Sequence, residues 1–109
     1  MIVEQRTYDF HPGALPRFFA LYEETGARAL QMRVLGNLLG YFTTEIGTLN
    51  RSVHLWGYES LNDRAERRAA LMAEETWRGF LAQATALLQC QRSAILLPTD
   101  FSPMGRGEC

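Results

Sequence analysis

Hydrophobic and polar positions alternate most clearly at residues 51–58, which read Arg-Ser-Val-His-Leu-Trp-Gly-Tyr. Successive side chains of a β-strand point to opposite faces of a sheet. One face of this strand therefore carries Val53, Leu55 and Gly57, and the other carries Ser52, His54, Trp56 and Tyr58. The first face is apolar and its glycine allows a close backbone approach, so we predict that helices cover it. The second face is aromatic and polar and needs a different cover.

Similar alternation predicts strands over residues 2–10, 38–46 and about 90–97. Helical spacing predicts helices between them. The first has an apolar stripe at Leu15, Phe18, Phe19 and Tyr22, and Gly26 separates it from a continuation over residues 27–35. The next begins at Ser60, with Asp63 at capping-box spacing. After a break at residues 74–76, a last stripe consists of Trp77, Phe80, Leu81, Ala84, Leu87 and Leu88.

This order is strand–helix–strand, repeated at an offset of about fifty residues. It predicts an α+β fold of the ferredoxin-like βαββαβ type, with one antiparallel four-stranded sheet and both helices on one face. The 109 residues suit a single domain. We place that domain at residues 1–98 and a C-terminal tail at residues 99–109.

The two central strands predict the contents of the second face. If residues 47–50 form the turn, Thr43 lies opposite His54, Tyr41 opposite Trp56, and Glu45 opposite Ser52. A slip of one residue would exchange the two faces. The face left open by the helices then carries Glu4, Arg6, Tyr8, Tyr41, Thr43, Glu45, His54, Trp56 and Tyr58.

An aromatic surface of this size is seldom left bare on a monomer. The simplest cover is a second copy of the chain, sheet against sheet about a two-fold axis. Two such sheets would form a dimeric α+β barrel and enclose a cavity lined by aromatic and ionisable groups. That lining is typical of a small-molecule site.

Several segments resemble the NIPSNAP family across nearly the whole chain. They are Gly-Tyr-Phe-Thr-Thr-Glu-Ile-Gly at 40–47, Val-His-Leu-Trp-Gly-Tyr at 53–58, Arg-Arg-Ala-Ala-Leu at 67–71, Arg-Thr-Tyr at 6–8 and Phe-Ser-Pro at 101–103. The resemblance implies the dimeric α+β barrel fold. It matches Arg6, Tyr8, Tyr41, Glu45, His54 and Trp56 to family motifs without supplying a role for each. Related barrel superfamilies include cofactor-free monooxygenases, isomerases and haem-handling proteins, an analogy of fold rather than of site.

The candidate catalytic residues are His54, Glu45 and Arg6. His54 is the best candidate general base, since histidine titrates near neutral pH, and Glu45 or Glu4 would orient it. The alternative is a histidine hydrogen-bonded to Thr43. Arg6 would bind a substrate carboxylate or pair with Glu4 or Glu45. The candidate ligand-binding residues would stack on a planar ligand or form dimer core. They are Tyr8, Tyr41, Thr43, Trp56 and Tyr58.

Composition narrows the function classes. All 11 basic residues are arginines and the net charge is −1, which argues against broad nucleic-acid binding. Cys90 and Cys109 lack CxxC or CxxH partners, so we expect no metal site and no cofactor. We find no signal peptide or membrane span and predict a cytoplasmic protein. The run at residues 64–68 suggests an exposed helix face.

The sequence therefore predicts a homodimer that binds a small aromatic or polyketide-like molecule. Three alternatives stay open. The first is a cofactor-independent enzyme of the monooxygenase or isomerase type in the same cavity. The second is a structural protein with a filled dimer interface. The third is an RNA-binding module, because the RNA-recognition motif shares this strand and helix order and stacks bases on sheet aromatics.

Overall fold

A computed structural model describes residues 1–104 of the chain. The four strands are β1 (Ile2–Phe10), β2 (Leu38–Thr43), β3 (Arg51–Tyr58) and β4 (Leu88–Leu96). The helices are α1 (Leu15–Glu24), α2 (Ala27–Leu35), α3 (Leu61–Met72) and α4 (Glu75–Ala84), with a 3-10 turn at Thr85–Leu87. The strands form one antiparallel sheet in the order β2-β3-β1-β4. This confirms the predicted α+β, ferredoxin-like fold, with each helical crossover divided into two helices.

Local signals explain where the helices begin. Gly26 separates α1 from α2 and has a φ of 81°, a left-handed conformation that glycine adopts without a steric penalty. The Ser60 side chain accepts a hydrogen bond from the Asp63 backbone N–H at 3.0 Å. The predicted cap of α3 is therefore confirmed, and it satisfies one of the free N–H groups of the first turn.

The register of β2 against β3 differs from the prediction by two residues. Tyr41 lies opposite His54 and Thr43 opposite Ser52. The reason is that β2 ends at Thr43, so the connection covers residues 44–50 rather than 47–50. A shift of two residues keeps Tyr41 and Thr43 on the same face of the sheet as His54, as predicted. It removes Glu45 from the strand, however, because that residue falls in the connecting loop.

The helices cover the opposite face from the one we predicted. Ser52, His54, Trp56 and Tyr58 lie beneath them and are at most 2% exposed, whereas Val53 and Leu55 lie on the uncovered face. The cause is the chemistry of the helices, whose inward stripes are themselves aromatic. Phe18 of α1 packs against Tyr8, and Tyr22 packs against Tyr41. Aromatic edges and faces from both layers interlock in a single core.

The uncovered face of the sheet is simpler in composition. The ring of Phe42 is 54% exposed and lies across Gly40, where an added Cβ would come within 2.5 Å of it. Val53 and Leu55 continue this apolar strip on β3. At one end Asp9 accepts hydrogen bonds from Arg51 at 2.6 Å and from Arg92 at 2.9 Å.

No helix within residues 1–104 is both long enough and apolar enough to cross a membrane. Beyond β4 the chain forms a turn in which the Ser102 N–H donates to the Thr99 carbonyl at 3.0 Å. Cys90 is an exposed free thiol, and Cys109 lies outside the described residues. The domain limit at residue 98 and the cytoplasmic location stay predictions.

Candidate functional site

His54 is the centre of the helix-covered face. The Trp56 Nε1–H donates to its Nδ1 at 2.7 Å. An indole N–H can only donate, so Nδ1 is the acceptor and a neutral ring carries its proton on Nε2. Burial, followed by the charge of Arg6, lowers the pKa of His54 to about 3. The imidazole is therefore a neutral Nε2–H donor at neutral pH.

This Nε2–H has no acceptor among residues 1–104, although His54 is only 1% exposed. Buried polar groups of folded proteins are nearly always hydrogen-bonded, so such a donor calls for an explanation. The arrangement does not fit the predicted general base, because Trp56 occupies the one lone pair that would accept a proton. It can instead donate to a carbonyl or an oxyanion of a bound molecule.

Aromatic rings enclose the imidazole. Tyr41 stacks on it with ring centroids 4.4 Å apart and an interplanar angle of 11°, and Tyr8 meets it edge-on at 4.8 Å. A cavity of about 30 Å³ lies beside these rings, beneath Phe18 and Phe80. One water needs roughly 10–15 Å³ of such space, so the cavity has room for about two. A larger molecule requires the surrounding side chains to move.

A larger groove adjoins this cavity on the outside of the protein. It has a volume of about 320 Å³, and Phe19, Met32 and Leu38 contribute to its walls. Tyr22 and Tyr41 line both the groove and the internal cavity. Their rings therefore form the partition between the two spaces. Small-molecule sites begin at roughly 300 Å³, a size that the joined space would reach.

The partition side chains are held from the helix layer. Tyr22 donates its hydroxyl to Oε1 of Gln31, which is only 3% exposed. Burial raises the pKa of Tyr22 and of Tyr41 well above the ordinary value for a phenol. Both hydroxyls therefore stay protonated at neutral pH and serve as neutral hydrogen-bonding groups.

A charged cluster lies next to the aromatic one. Glu4 is fully buried and accepts hydrogen bonds from Arg6 Nη1 at 2.9 Å, from Arg64 Nε and Nη2 at 3.0 and 2.9 Å, and from the Ser93 hydroxyl. Burial alone would raise the pKa of Glu4. The hydrogen bonds from Arg64 and Ser93 and the charge of Arg6 outweigh it and lower the pKa to about 2. Glu4 is therefore ionised.

The arginines of this cluster differ in the number of partners that their guanidinium groups contact. Arg6 also donates from Nε to the Tyr8 hydroxyl at 3.2 Å, with its guanidinium carbon 5.6 Å from the ring centroid. Arg68 follows Arg64 by one helical turn of α3 and is half-buried. It forms no hydrogen bond or ion pair with any other residue in the range 1–104. Burial, followed by the charge of Arg6, lowers the pKa of Arg68.

The structure brings together most of the predicted site residues but under the helices, not between two sheets. His54, Arg6, Tyr8, Tyr41 and Trp56 form one continuous group. Tyr58 shares this face, and its buried hydroxyl has no partner among the described residues.

Two predicted members are misplaced. Thr43 is exposed at the end of β2, opposite Ser52, so it does not pair with His54. Glu45 is exposed in the loop over residues 44–50, so it neither orients His54 nor pairs with Arg6. The pairing of Arg6 with Glu4 is the one that the structure shows.

Sequence reasoning missed the residues that the helices and β4 contribute, namely Arg64, Arg68, Gln31 and Ser93. The prediction of an exposed face for residues 64–68 is wrong for all three arginines of the run, which are half-buried. Leu71 is buried, and Arg68 and Arg64 precede it by three and seven residues on the same side of α3. That helical spacing was the available signal.

Two other kinds of site find no support within residues 1–104. No group of three or more His, Cys, Asp and Glu side chains lies close enough there to hold a metal ion. The aromatic rings that would stack on RNA bases lie beneath the helices. Stacking of bases on the sheet requires an exposed platform, so the RNA-binding interpretation loses its structural basis.

Comparison with known proteins gives consistent results. The NIPSNAP family model matches residues 3–103. The chain is 34% identical over 104 residues to Protein NipSnap of Drosophila melanogaster and 32% identical to Protein NipSnap homolog 2 of Homo sapiens, in each case over 94% of this chain. Those matches span 36% and 35% of the two relatives. The chain therefore spans about a third of the length of these curated relatives.

Solved structures of NIPSNAP proteins are similar to this chain in both fold and sequence. A NIPSNAP family protein from Agrobacterium tumefaciens is 46% identical, with a TM-score of 0.89 and coverage of 94% of this chain and 97% of that one. A NIPSNAP-like domain protein from Burkholderia xenovorans is 48% identical, with a TM-score of 0.87 and coverage of 94% and 88%. An antibiotic biosynthesis monooxygenase has a TM-score of 0.59 at 14% identity, covering 88% and 96%, which shows a shared fold alone.

Proposed function

The chain belongs to the NIPSNAP family, and from that premise we propose that it binds a small molecule in a site inside each protomer, between the sheet and the helices. The observation that carries the proposal is the His54 Nε2–H, a donor buried to 99% with no acceptor among residues 1–104. A bound carbonyl or oxyanion would supply that acceptor. The aromatic rings around the donor favour a planar ligand.

The ligand would enter from the groove beside α1 and α2. Rotation of the Tyr22 and Tyr41 rings would join that groove of about 320 Å³ to the internal cavity. The acceptor group would then reach His54, and the body of the ligand would lie between aromatic side chains. The site is complete within one chain, unlike a cavity enclosed by two sheets.

The test is a binding screen read out by nuclear magnetic resonance. Trp56 and Trp77 are the two tryptophans of the chain, so the indole N–H region of a ¹H–¹⁵N spectrum contains few signals. We expect planar carbonyl compounds to shift the Trp56 indole signal, because its acceptor is the same imidazole. The His54→Asn variant should lose this response, since an Asn side chain can accept from Trp56 but lacks Nε2–H.

The matched control is His11→Asn, which changes the other histidine of the chain in an exposed turn. It should respond like the native protein. Equal responses from both variants would contradict the role of His54. A native protein that binds no member of a broad set of planar carbonyl compounds would contradict the proposed function itself.

We also propose that the uncovered face of the sheet binds a second copy of the chain, which would give the dimeric barrel implied by the family. Supporting observations are the 54% exposure of Phe42 and the apolar strip that it forms with Val53 and Leu55. Light scattering during size-exclusion chromatography should give twice the mass of one chain.

The Phe42→Asp variant should elute as a monomer, because an unpaired charge would be buried at the interface. Leu61→Asp is the control, since Leu61 is 60% exposed at the start of α3 on the other side of the molecule. A native monomer, or a Phe42→Asp dimer of undiminished affinity, would contradict this assignment of the face.

A further inference from the structure

The charged cluster contains more positive charge than its own residues neutralise. Two guanidinium groups, those of Arg6 and Arg64, bond to the single buried carboxylate of Glu4. A third, that of half-buried Arg68, is close enough to interact with their charges. Glu4 is already saturated by Arg6, Arg64 and Ser93. Charged groups taken out of water are normally paired. This cluster therefore holds unneutralised cationic groups in a partly buried position.

Arg68 is the guanidinium group of this cluster without a partner among residues 1–104. The cap at Ser60 fixes the start of α3, and Arg64 anchors the helix to β1 through Glu4. Arg68 lies one turn further along the same side of α3, close enough to Arg6 for the two positive charges to interact. It is half-buried, yet it has no hydrogen bond or ion pair within the described part of the chain. Its five N–H donors are available in a planar fork.

The same face of the sheet contains the three buried side-chain polar atoms that lack a partner among residues 1–104, on Ser52, His54 and Tyr58. His54 lies directly opposite Arg6 in the sheet, and no acceptor in the described part of the chain reaches its Nε2–H. The Tyr58 hydroxyl, likewise unpartnered within the described residues, lies two residues beyond Trp56 on the same face of β3. Neutral hydrogen-bonding groups and the unpaired Arg68 guanidinium thus lie on one side of the sheet. Their shared chemistry is recognition of an oxygen-rich anion.

Resting on the proposed function, we infer that the ligand of this site carries an oxyanion, bound between Arg68 and Arg6 and accepting a hydrogen bond from His54, with its planar body among the aromatic rings. A carboxylate and a phosphate both present two oxygens to a guanidinium fork. The short reach from His54 to Arg6 across one strand pair favours the smaller, planar carboxylate.

The experiment compares benzoate with benzamide, which have nearly the same shape and differ in charge. Titrations follow the Trp56 indole signal and the His54 ring nitrogens. We expect benzoate to bind at least about tenfold more tightly, as one charge-assisted hydrogen bond accounts for a factor of that size. Phenyl phosphate serves as the third probe. If it binds more tightly than benzoate, the oxyanion stands and the preference for a carboxylate is overturned.

Arg68→Gln should weaken benzoate binding by about tenfold and leave benzamide binding within about twofold. Its thermal midpoint should equal or exceed that of the native protein, because the change removes a half-buried charge that faces Arg6. The matched control is Arg33→Gln, which removes the same charge from an exposed position on α2. If Arg68→Gln fails to fold, Arg68→Lys replaces it, keeping the charge while losing the fork.

The two proposals fail in different ways. Equal binding of benzoate and benzamide by the native protein would overturn the oxyanion and leave the proposed function intact. Undiminished benzoate binding by Arg68→Gln would remove Arg68 from the site. Absence of binding by all three probes would overturn the oxyanion assignment, whereas the proposed function would still be judged by the screen of neutral carbonyl compounds.

Discussion

The two faces of the sheet each contain one carboxylate held by two arginines, but in different surroundings. Beneath the helices, Glu4 is fully buried and bonds to Arg6, Arg64 and Ser93. On the uncovered face, the Asp9 side chain is 19% exposed and pairs with Arg51 and Arg92. The two clusters therefore have the same pattern of charges, but the one at Glu4 is shielded from water and the one at Asp9 is partly open to it. Burial, rather than the number of ion pairs, distinguishes the face that carries the proposed site.

Removing the buried charge should have the largest effect. Glu4→Gln leaves Arg6 and Arg64 facing each other without a carboxylate, and we expect the free energy of unfolding to fall by about 3–5 kcal/mol. Urea denaturation followed by circular dichroism measures this loss. Glu66→Gln on the exposed side of α3 should change stability by about 0.5 kcal/mol or less. Similar losses from the two variants would contradict the buried role of Glu4.

Adjacent aromatic residues on β2 allow a second comparison of the faces. Tyr41 stacks on His54 beneath the helices, whereas the neighbouring Phe42 is 54% exposed. Tyr41→Ala should cost about 3 kcal/mol, as other large-to-small core changes do. Phe42→Ala should cost less than about 1 kcal/mol, measured at concentrations low enough to keep the chain monomeric. The reverse order of losses would show that the faces have been misassigned.

The pH dependence of stability should come from the covered face. The pKa of His54 is about 3 in the folded protein and about 6.5 unfolded, so between these values only the unfolded chain binds the proton. Stability should therefore fall as the pH drops below about 6.5. The loss should reach about 2–3 kcal/mol at pH 4.5, since each pKa unit corresponds to about 1.4 kcal/mol.

Denaturant titrations between pH 7 and pH 4.5 measure this loss. His54→Asn should flatten the slope, and His11→Asn should preserve it. The charged groups that face His54 are Arg6 and Glu4 from β1 and Arg68 from α3, and none of them changes charge in this window at the native positions. A slope of undiminished size in His54→Asn would exclude a neutral buried imidazole, since unfolded Glu4 adds only a small loss near pH 4.5.

The smallest effect should come from the carboxylate of the uncovered face. Asp9→Asn removes the ion pairs to Arg51 and Arg92, yet we expect a loss of about 1 kcal/mol or less. Water screens this pair of contacts on one side. Adding 1 M sodium chloride to both proteins should further shrink the difference between their free energies of unfolding. A loss as large as that of Glu4→Gln would show that something covers Asp9.

Most of the fold could be predicted because its signals are local. The alternation over residues 2–10 and 51–58, the glycine at position 26 and the Ser60 cap all act within a few residues of themselves, and each matches an element boundary. The β2–β3 register could not be predicted, because the loop length depends on where pairing stops. The assignment of side chains to the two faces was unaffected by the two-residue error in register, because the side-chain period of a strand is two.

Which face the helices cover could not be read from one strand. Val53 and Leu55 look like core residues, and His54 and Ser52 do not. The choice depends on the partners that other elements bring, such as Arg64 for Glu4 and Trp56 for His54. A polar side chain is buried only where its hydrogen bonds are supplied, and that supply is a property of the assembled layers.

The hydrogen bond from Trp56 to His54 also makes the indole N–H a probe of helix motion through its rate of hydrogen exchange. Its proton is buried beneath the helix layer and can exchange with deuterated solvent only when that layer lifts from the sheet. The rate at which the indole signal fades in heavy water thus counts openings of the layer. A molecule bound beneath the helices would slow that count, whereas one bound on the uncovered face would leave it unchanged.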